Sequence, residues 1–596
     1  MSENILVCAA WPYANSDIHQ GNVTGSYLPA DIYARFHRLR GNRVLMVSGS
    51  DSHGTPVTVK AEQLGQTALE LFEHYHGRFL ELFQRLGLSY DLFTHTHTEN
   101  HFQVSQDIFR QLLKNEYLYR KVTPQMYSSE AGKFLPDRYI EGTCPVCGYT
   151  GARGDQCDNC NTLFESAAQL INPRSKHDQS RLELRDTEHY FLDLPAIAED
   201  SLAEWIHEGK EHWRPQVLNF ARNFIDQGLI GRAVTRDMDW GIPVPVEGFD
   251  NKVLYVWFEA VIGYLSAAVE WAKNEGDPDA WRDWWQNPDA RTVYFIGKDN
   301  IPFHTVFWPA QLLGARGLYS DNPHARLNLP YDVPANEFMN MEGQKISGSR
   351  NWGVWMLEAL DCYDPDPLRY YLTVNMPENR DSDWNWGGFI ERNNNELVAN
   401  WGNLVNRVLN MTRRYFDGVV PEPGDLTPTD EALLAALDEG FATAAELYDG
   451  CKFRATVQEV LRLSTLVNQY LEETSPWTAA KTDRAAAGRA LYVALQAING
   501  LKVLWAPVLP FTSQQLHLLL GEAGTLFGEQ VVRHYHEATR SHYALTYDGA
   551  AAAGRWERAT IPAGRQLPPP QPLFKKLEPE LAEQERLRLG PKPDIQ

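Results

Sequence analysis

Hydrophobic and polar positions divide this chain into two regimes. Residues 4–10, Asn-Ile-Leu-Val-Cys-Ala-Ala, form an apolar run of strand length, the pattern of a strand buried on both faces. A polar loop follows, then a helical pattern from about Gly21 to His37. Val44-Leu-Met-Val-Ser48 reads as a second buried strand, ending at Gly49-Ser-Asp-Ser-His-Gly54. Strand, glycine-bearing turn, helix and strand make the βαβ unit of a nucleotide-binding sheet. The pattern breaks over residues 116–230 and resumes at Val253-Leu-Tyr-Val-Trp257 and Val293-Tyr-Phe-Ile-Gly297, two further expected strands. The prediction is an α/β domain with a split, doubly wound, Rossmann-like parallel sheet. Its halves are expected at residues 1–115 and 231–330, with a module inserted over 116–230 and a connecting region over 331–390. Beyond about residue 390 the spacing becomes helical in Ala432–Leu447, Phe453–Leu471 and Ala485–Leu518, with Pro and Gly between. Residues 391–545 are therefore expected to form an all-α helical bundle. In the tail, 546–596, Leu567-Pro-Pro-Pro-Gln-Pro572 predicts a stiff polyproline-like segment running into a charged stretch.

Composition narrows the class. At 596 residues the chain is too long for one core, and 43% hydrophobic residues suffice for several. A formal net charge of −22 excludes generic attraction to nucleic acid, so any RNA partner needs a local basic patch. The N-terminus, Met1-Ser2-Glu3-Asn4, has no signal-peptide character, and no apolar run is long enough for a bilayer span. A cytoplasmic protein is expected, with neither a membrane nor DNA as partner. Four of the seven cysteines form Cys144-Pro-Val-Cys147 and Cys157-Asp-Asn-Cys160. Two close CxxC pairs point to one structural Zn2+ in a four-thiolate knuckle, with no open coordination position. Cys8, Cys362 and Cys451 are scattered, which suits a reducing compartment.

Two short segments more than three hundred residues apart carry the chemistry. One is Ala9-Ala-Trp11-Pro-Tyr13-Ala-Asn15 running into His19-Gln20-Gly21-Asn22; the other is Lys345-Ile-Ser347-Gly348-Ser349-Arg350. His19–Asn22 lies between an expected strand and an expected helix, where a helix N-terminus favours phosphate. Taken alone, the four residues also fit a loop histidine followed by an Asn helix cap.

The two segments resemble the HIGH and KMSKS signatures of class I aminoacyl-tRNA synthetases. Gly49-Ser-Asp51-Ser-His53-Gly54-Thr-Pro56, Phe134-Leu-Pro-Asp-Arg138, Tyr255-Val-Trp257-Phe-Glu-Ala260, Phe295-Ile-Gly-Lys-Asp299, Phe303-His304 and Phe307-Trp-Pro309 extend the likeness over nearly the whole chain to the methionyl-tRNA synthetase family. The resemblance implies an enzyme that activates L-methionine with ATP, accompanied by Mg2+, and charges methionine tRNA, releasing AMP and pyrophosphate. It places His19, Asn22 and Lys345 in catalysis and His19, Gly21, Asn22, Gly297, Asp299, Lys345, Ser347 and Gly348 at ATP. It puts the amino acid among Tyr13, Asp51, Trp257, Tyr264 and His304. It assigns anticodon reading to Asn403, Arg407 and Trp477, the last offering a stacking face. It makes 116–230 the connective insertion and 331–390 the KMSKS-loop and stem-contact region. Aromatic rings suit a thioether, although each of them is also plausible core.

The chain departs from the family at Gly348, where the second lysine of KMSKS is missing; Lys345, Arg350 and Lys298 are the cations available to compensate. Trp11, Val261 and Asn300 stand where bacterial relatives often have Leu, Pro and Ile. These departures leave two alternatives open: a synthetase paralogue with altered specificity or a non-translational role, and a catalytically weak tRNA-binding paralogue. The chain ends soon after Pro572-Leu-Phe-Lys-Lys576, without the dimerising domain of many relatives, so a monomer is expected.

Overall fold

The computed structural model describes residues 2–136, 139–154, 157, 159–160, 162, 164, 167–176 and 178–590. Asp137 and Arg138 of the Phe134–Arg138 segment lie outside these, as does 591–596. The centre is a seven-stranded sheet. Its strands are β1 (Asn4–Ala9), β2 (Arg43–Ser50), β3 (Leu92–His95), β4 (Arg291–Gly297), β5 (Ala335–Asn336), β6 (Glu529–His536) and β7 (Ser541–Asp548), in the spatial order β5-β4-β1-β2-β3-β7-β6. The first five are parallel; Val7 of β1 pairs with Val293 on one side and Met46 on the other. The apolar run of β1 is explained by its central place. Ile5, Val7 and Ala9 point into one hydrophobic core and Leu6 and Cys8 into a second on the opposite face. Chain order reverses between β1 and β4, and the crevice beyond their carboxyl ends is where such sheets bind ligands.

Two expectations change. Val253–Trp257 is not a strand of this sheet. Only Val253–Leu254 is extended, pairing antiparallel with Thr235–Arg236; Val256–Glu259 turns helical and leads through Ala260–Ile262 into the helix Gly263–Asn274. Val256, Phe258, Val261 and Ile262 are all buried, and a short apolar run cannot distinguish a buried helical segment from a strand. Second, the helical span ends before 545. Helices Asn403–Phe416, Pro428–Asp449, Phe453–Thr474, Arg484–Trp505 and Pro510–Leu519 form the bundle, the last two separated where Pro507 and Pro510 interrupt the ladder. The chain then returns to the sheet: β7 pairs antiparallel with β3, and β6 forms the new edge.

The insertion is a ribbon of Leu118–Ser128 against Glu183–Leu192, carrying a small sheet beside the cysteines. The tail packs back, burying Leu567, Leu573 and Phe574, and its helix Leu581–Arg586 lies on Trp386–Arg392. A fully buried ion pair fastens the parts together. Arg369 donates to Asp31 Oδ2 (2.6 Å) and to the carbonyls of Pro507 (2.9 Å) and Val508 (2.9 Å), while Arg35 holds the same carboxylate. No helix of the described residues is long and apolar enough to cross a membrane.

Candidate active site

A cavity of about 490 Å³ opens at the β1/β4 switch point, lined by Tyr13, His19, Gly21, Asn22, Asp51, Trp257, Tyr264, Gly297, Asp299, His304 and Lys345. The sequence-predicted pocket residues thus converge from the ends of β1, β2 and β4, the start of the helix after His19, the helical stretches that carry Trp257, Tyr264 and His304, and one distant loop. Ser347 and Gly348 do not line it.

His19 caps a helix that begins at Gln20–Asn22, widens into a π turn over Val23–Tyr27 and continues through Leu28–Leu39. His19 Nδ1 accepts the Asn22 backbone N–H (3.3 Å), and Asn22 Oδ1 accepts the His19 N–H (3.2 Å). Burial lowers the imidazole pKa to about 4, so at neutral pH the ring is neutral. With Nδ1 occupied as acceptor, the proton sits on Nε2, which is left as a donor. His19 is itself the N-cap, with Asn22 its partner at the third helical position, and the Asn22 backbone N–H fixes the tautomer. A Cβ on Gly21 would lie 2.8 Å from Ile346 Cδ1 and displace that methyl, so glycine lets the Lys345 loop pack closely here.

The Lys345 loop is held against His19. The Gln20 N–H donates to Val354 O (3.0 Å), Gln20 Oε1 accepts the Val354 N–H (2.8 Å), and the Met356 N–H donates to Ile18 O (3.0 Å). The loop closes by reciprocal bonds between Ser347 and Trp352, each 2.9 Å. Trp355, which carries no sequence signal, meets the His19 ring edge-on at 6.0 Å. Of the candidate compensating cations, Lys298 is engaged by Glu337 (2.7 Å) and Asp381 (2.9 Å), and Arg350 donates to Lys345 O (3.2 Å).

The other end of the cavity is aromatic. Trp257 stacks on Phe303 with centroids 4.3 Å apart and meets Tyr13 edge-on at 6.0 Å. Phe303 was present in the motif but given no role from sequence. Gly54 lets Tyr13 settle, since a Cβ there would stand 2.3 Å from its ring. His304 Nδ1 donates to Asn300 O (2.9 Å), so Nε2 accepts the Tyr264 hydroxyl (2.7 Å). Burial lowers the His304 pKa to about 4, and the pair is neutral. Asp51 follows β2, 3% exposed, with the His53 N–H 3.4 Å from Oδ1. Burial, then the nearby Glu259 carboxylate, pushes its pKa well above the ordinary range. Among the described residues it has no cationic partner within ion-pair distance. The site therefore offers one unpaired buried carboxylate, an apolar aromatic slot and, across the cavity, neutral and cationic donors. That arrangement suits a zwitterion with an apolar side chain whose carboxylate faces a polyphosphate.

The thiol sulfurs of Cys144, Cys147, Cys157 and Cys160 all lie within 4.8 Å of one another, with Cys144–Cys160 at 3.8 Å and Cys147–Cys157 at 3.6 Å. Tetrahedral zinc with bonds of about 2.3 Å places its thiolates about 3.8 Å apart, so the cluster fits such an ion. Gly148, at φ 75°, allows the turn that returns its N–H to Cys144 O. In the bundle, Asn403 is exposed one turn before Arg407. Arg407 donates to Glu472 (2.7 Å) and lies 5.3 Å from the Trp477 ring, placed by Pro476 after left-handed Ser475.

Comparison with known proteins agrees with this geometry. The family "tRNA synthetases class I (M)" matches residues 5–409, and the "Anticodon binding domain of methionyl tRNA ligase" matches 420–592. The methionine–tRNA ligase of Thermomicrobium roseum is 55% identical over 99% of both chains, and that of Roseiflexus castenholzii 50% identical over 99% of this chain and all of the other. Among solved structures, the methionyl-tRNA synthetase of Mycobacterium tuberculosis in complex with methionyl-adenylate superposes with a TM-score of 0.74 at 25% identity, covering 96% of this chain and 99% of that one. The chain thus belongs to the methionine–tRNA ligases, a family of class I aminoacyl-tRNA synthetases.

Proposed function

We propose that this chain performs methionine–tRNA ligation through the cavity at the switch point, with the following division of roles. L-Methionine enters with its ammonium on Asp51 and its thioether among Tyr13, Trp257, Tyr264 and His304, where sulfur packs against ring edges. ATP enters as its magnesium complex, with the adenosine near Gly297 and Asp299 and the phosphates near His19, Gly21, Asn22, Lys345 and the Ser347–Gly348 turn. The methionine carboxylate attacks the α-phosphorus, the bond to the β-phosphate oxygen breaks, and pyrophosphate leaves. Negative charge grows on the phosphoryl oxygens. The His19 Nε2–H, the Asn22 amide and the Lys345 ammonium, from residues that line the cavity, are the donors that would meet it. The tRNA 3′-terminal adenosine then attacks the methionyl carbonyl and AMP departs.

The observation that carries this reading is the pairing of a buried Asp51 that has no cationic partner among the described residues with an aromatic slot on one side, and a neutral His19 whose tautomer is fixed by its own helix cap on the other. We read the four-cysteine cluster as a structural zinc site, one ion per chain, that stiffens the insertion, and Asn403, Arg407 and Trp477 as the anticodon-reading patch. As an enzyme of translation the chain is expected to act in the cytoplasm. The domains are proposed at 1–115 with 231–330, 116–230 and 331–390, and from 391 to the end of the helices near Leu519. The deciding experiment is ATP–pyrophosphate exchange with each amino acid in turn. Exchange with methionine alone supports the assignment; exchange driven by a different amino acid overturns it.

A further inference from the structure

Three segments meet behind Asp51: the turn Asp51–His53, the stretch Thr96–His101 after β3, and the helix Val256–Glu259. At their junction the Glu259 carboxylate, 0% exposed, meets His53 Nδ1 at 3.0 Å on one oxygen and His101 Nε2 at 2.7 Å on the other. The Ser266 hydroxyl lies 2.7 Å from His101 Nδ1 and 3.1 Å from Gly263 O. The two His101 nitrogens are thus held between Glu259 and Ser266; Ser105 Oγ, at 3.3 Å, is the longer contact of Nε2. His53 Nε2 faces His97 Nδ1 at 2.9 Å. Burial, with His53 and Arg540 nearby, lowers the His97 pKa to about 3, so this ring is neutral.

Part of the wall is braced from far along the chain. Glu537, in the β6–β7 turn, accepts the N–H groups of Glu99 (2.8 Å) and Asn100 (2.9 Å). Arg540 donates to His97 O (3.4 Å) and lies 4.4 Å from the Phe102 ring, which touches both His53 and His97 at 5.5 Å.

We propose that Glu259, His53 and His101 are positioning residues for the amino-acid site. The two imidazoles occupy both oxygens of Glu259 and fix the Asp51–His53 turn, so that Asp51 is the one carboxylate left to select a ligand bearing an α-ammonium. The inference rests on the reading of Asp51 given above. Without the Glu259 carboxylate both imidazoles lose their shared acceptor and the turn is no longer held. Without His101 one oxygen of the buried Glu259 carboxylate loses its partner.

The test uses the full chain with Glu259→Gln, His101→Gln, Glu259→Asp and Arg540→Ala. ATP–pyrophosphate exchange gives KM for methionine and for ATP. Competition is measured with L-methioninol, which has the ammonium but no carboxylate, and with 4-(methylsulfanyl)butanoate, which has the reverse. E259Q and H101Q are expected to raise KM for methionine and Ki for methioninol about tenfold or more, with KM for ATP, kcat and Ki for the des-amino acid within about threefold. E259D, which keeps the charge, is expected to recover much of the methioninol affinity. Arg540→Ala, which spares the buried groups, is expected to raise KM for methionine about threefold and serves if the others fail to fold. Equal weakening of both competitors, or an unchanged KM for methionine, overturns the inference. Absence of exchange in the unaltered chain overturns the reading of the site itself, and the inference with it.

Discussion

Replacing Asp51 by Asn separates a functional role for this carboxylate from a structural one. An ammonium about 3 Å from a carboxylate at an effective dielectric of about 20 gains roughly 5 kcal/mol of gross attraction. Desolvation of both charges removes much of that, and a hydrogen bond to a charged group nets about 1.5–3 kcal/mol. Asn keeps one acceptor oxygen but no charge. We expect a loss of roughly 2–3 kcal/mol, seen as a rise in KM for methionine of roughly 30- to 150-fold in ATP–pyrophosphate exchange, with little change in KM for ATP. Stability should move the other way. The folded-state pKa of Asp51 is raised, by burial first and Glu259 second, so the folded state holds this proton more tightly than the unfolded chain does. Its stabilising contribution is complete below the unfolded pKa of about 3.9 and is lost as pH rises through the folded value. At pH 7.5, above the unfolded pKa, burying this carboxyl is therefore a burden on the empty enzyme, and Asn removes it. The melting temperature of D51N should equal or exceed that of the parent at pH 7.5, the two converging near pH 4. A KM within about threefold of the parent, or a melting temperature lower by more than about 3 °C, would refute the reasoning.

Four other outcomes are expected. Asp31→Ala leaves the buried Arg369 and Arg35 without their carboxylate and should cost about 3–5 kcal/mol, read as loss of soluble full-length protein or a marked fall in melting temperature. Burial raises the Asp31 pKa, but Arg35, Arg369 and Ser89 bring it below the ordinary value, so this pair stabilises above about pH 3.9 and is lost as pH falls further, which acid unfolding followed by tryptophan fluorescence would detect. Gly348→Lys should be tolerated and should speed adenylate formation by up to about tenfold in single-turnover assays, because a Cβ there meets only Trp355 at 3.8 Å. Removing zinc, or Cys157→Ser, should lower tRNA charging more than amino-acid-dependent exchange, with zinc content per chain measured in parallel. Trp477→Ala should raise KM for tRNA by roughly 1–3 kcal/mol of lost stacking while leaving exchange intact.

Much of the fold was legible wherever local pattern and tertiary role agree. The run Ile5–Ala9 is apolar at every position because β1 is central and both its faces are covered. The outer bundle helices show their period because one face of each is solvated, whereas Arg484–Trp505 is buried all round over its second half. The cysteines are legible because four thiolates around one ion need close pairs of ligands, and a two-residue gap provides them. Val253–Trp257 was not legible as a helix start, because four or five apolar residues satisfy either period. The return of Glu529–Asp548 to the sheet edge was hidden as well. Its alternation predicts a hairpin at best, and nothing local names β3 as its partner, more than four hundred residues earlier.

The site divides in the same way. The strand–turn–helix context of His19–Asn22 was readable locally, whereas Asp51, Trp257, His304 and the Lys345 loop were marked by the resemblance of short segments to the family. The sequence alone determined the sheet's central strand, the helical nature of the C-terminal half and the metal-binding spacing, all of which are set by neighbours within a few residues. Only the tertiary structure decided that Phe303 stacks on Trp257, that Trp355 backs His19, that Asn22 fixes the His19 tautomer, and that Glu259 finds two histidines. It also decided that the Asp31 carboxylate receives Arg369. Each of these depends on side chains brought together by folding, and buried charge and ring packing have no period along a chain.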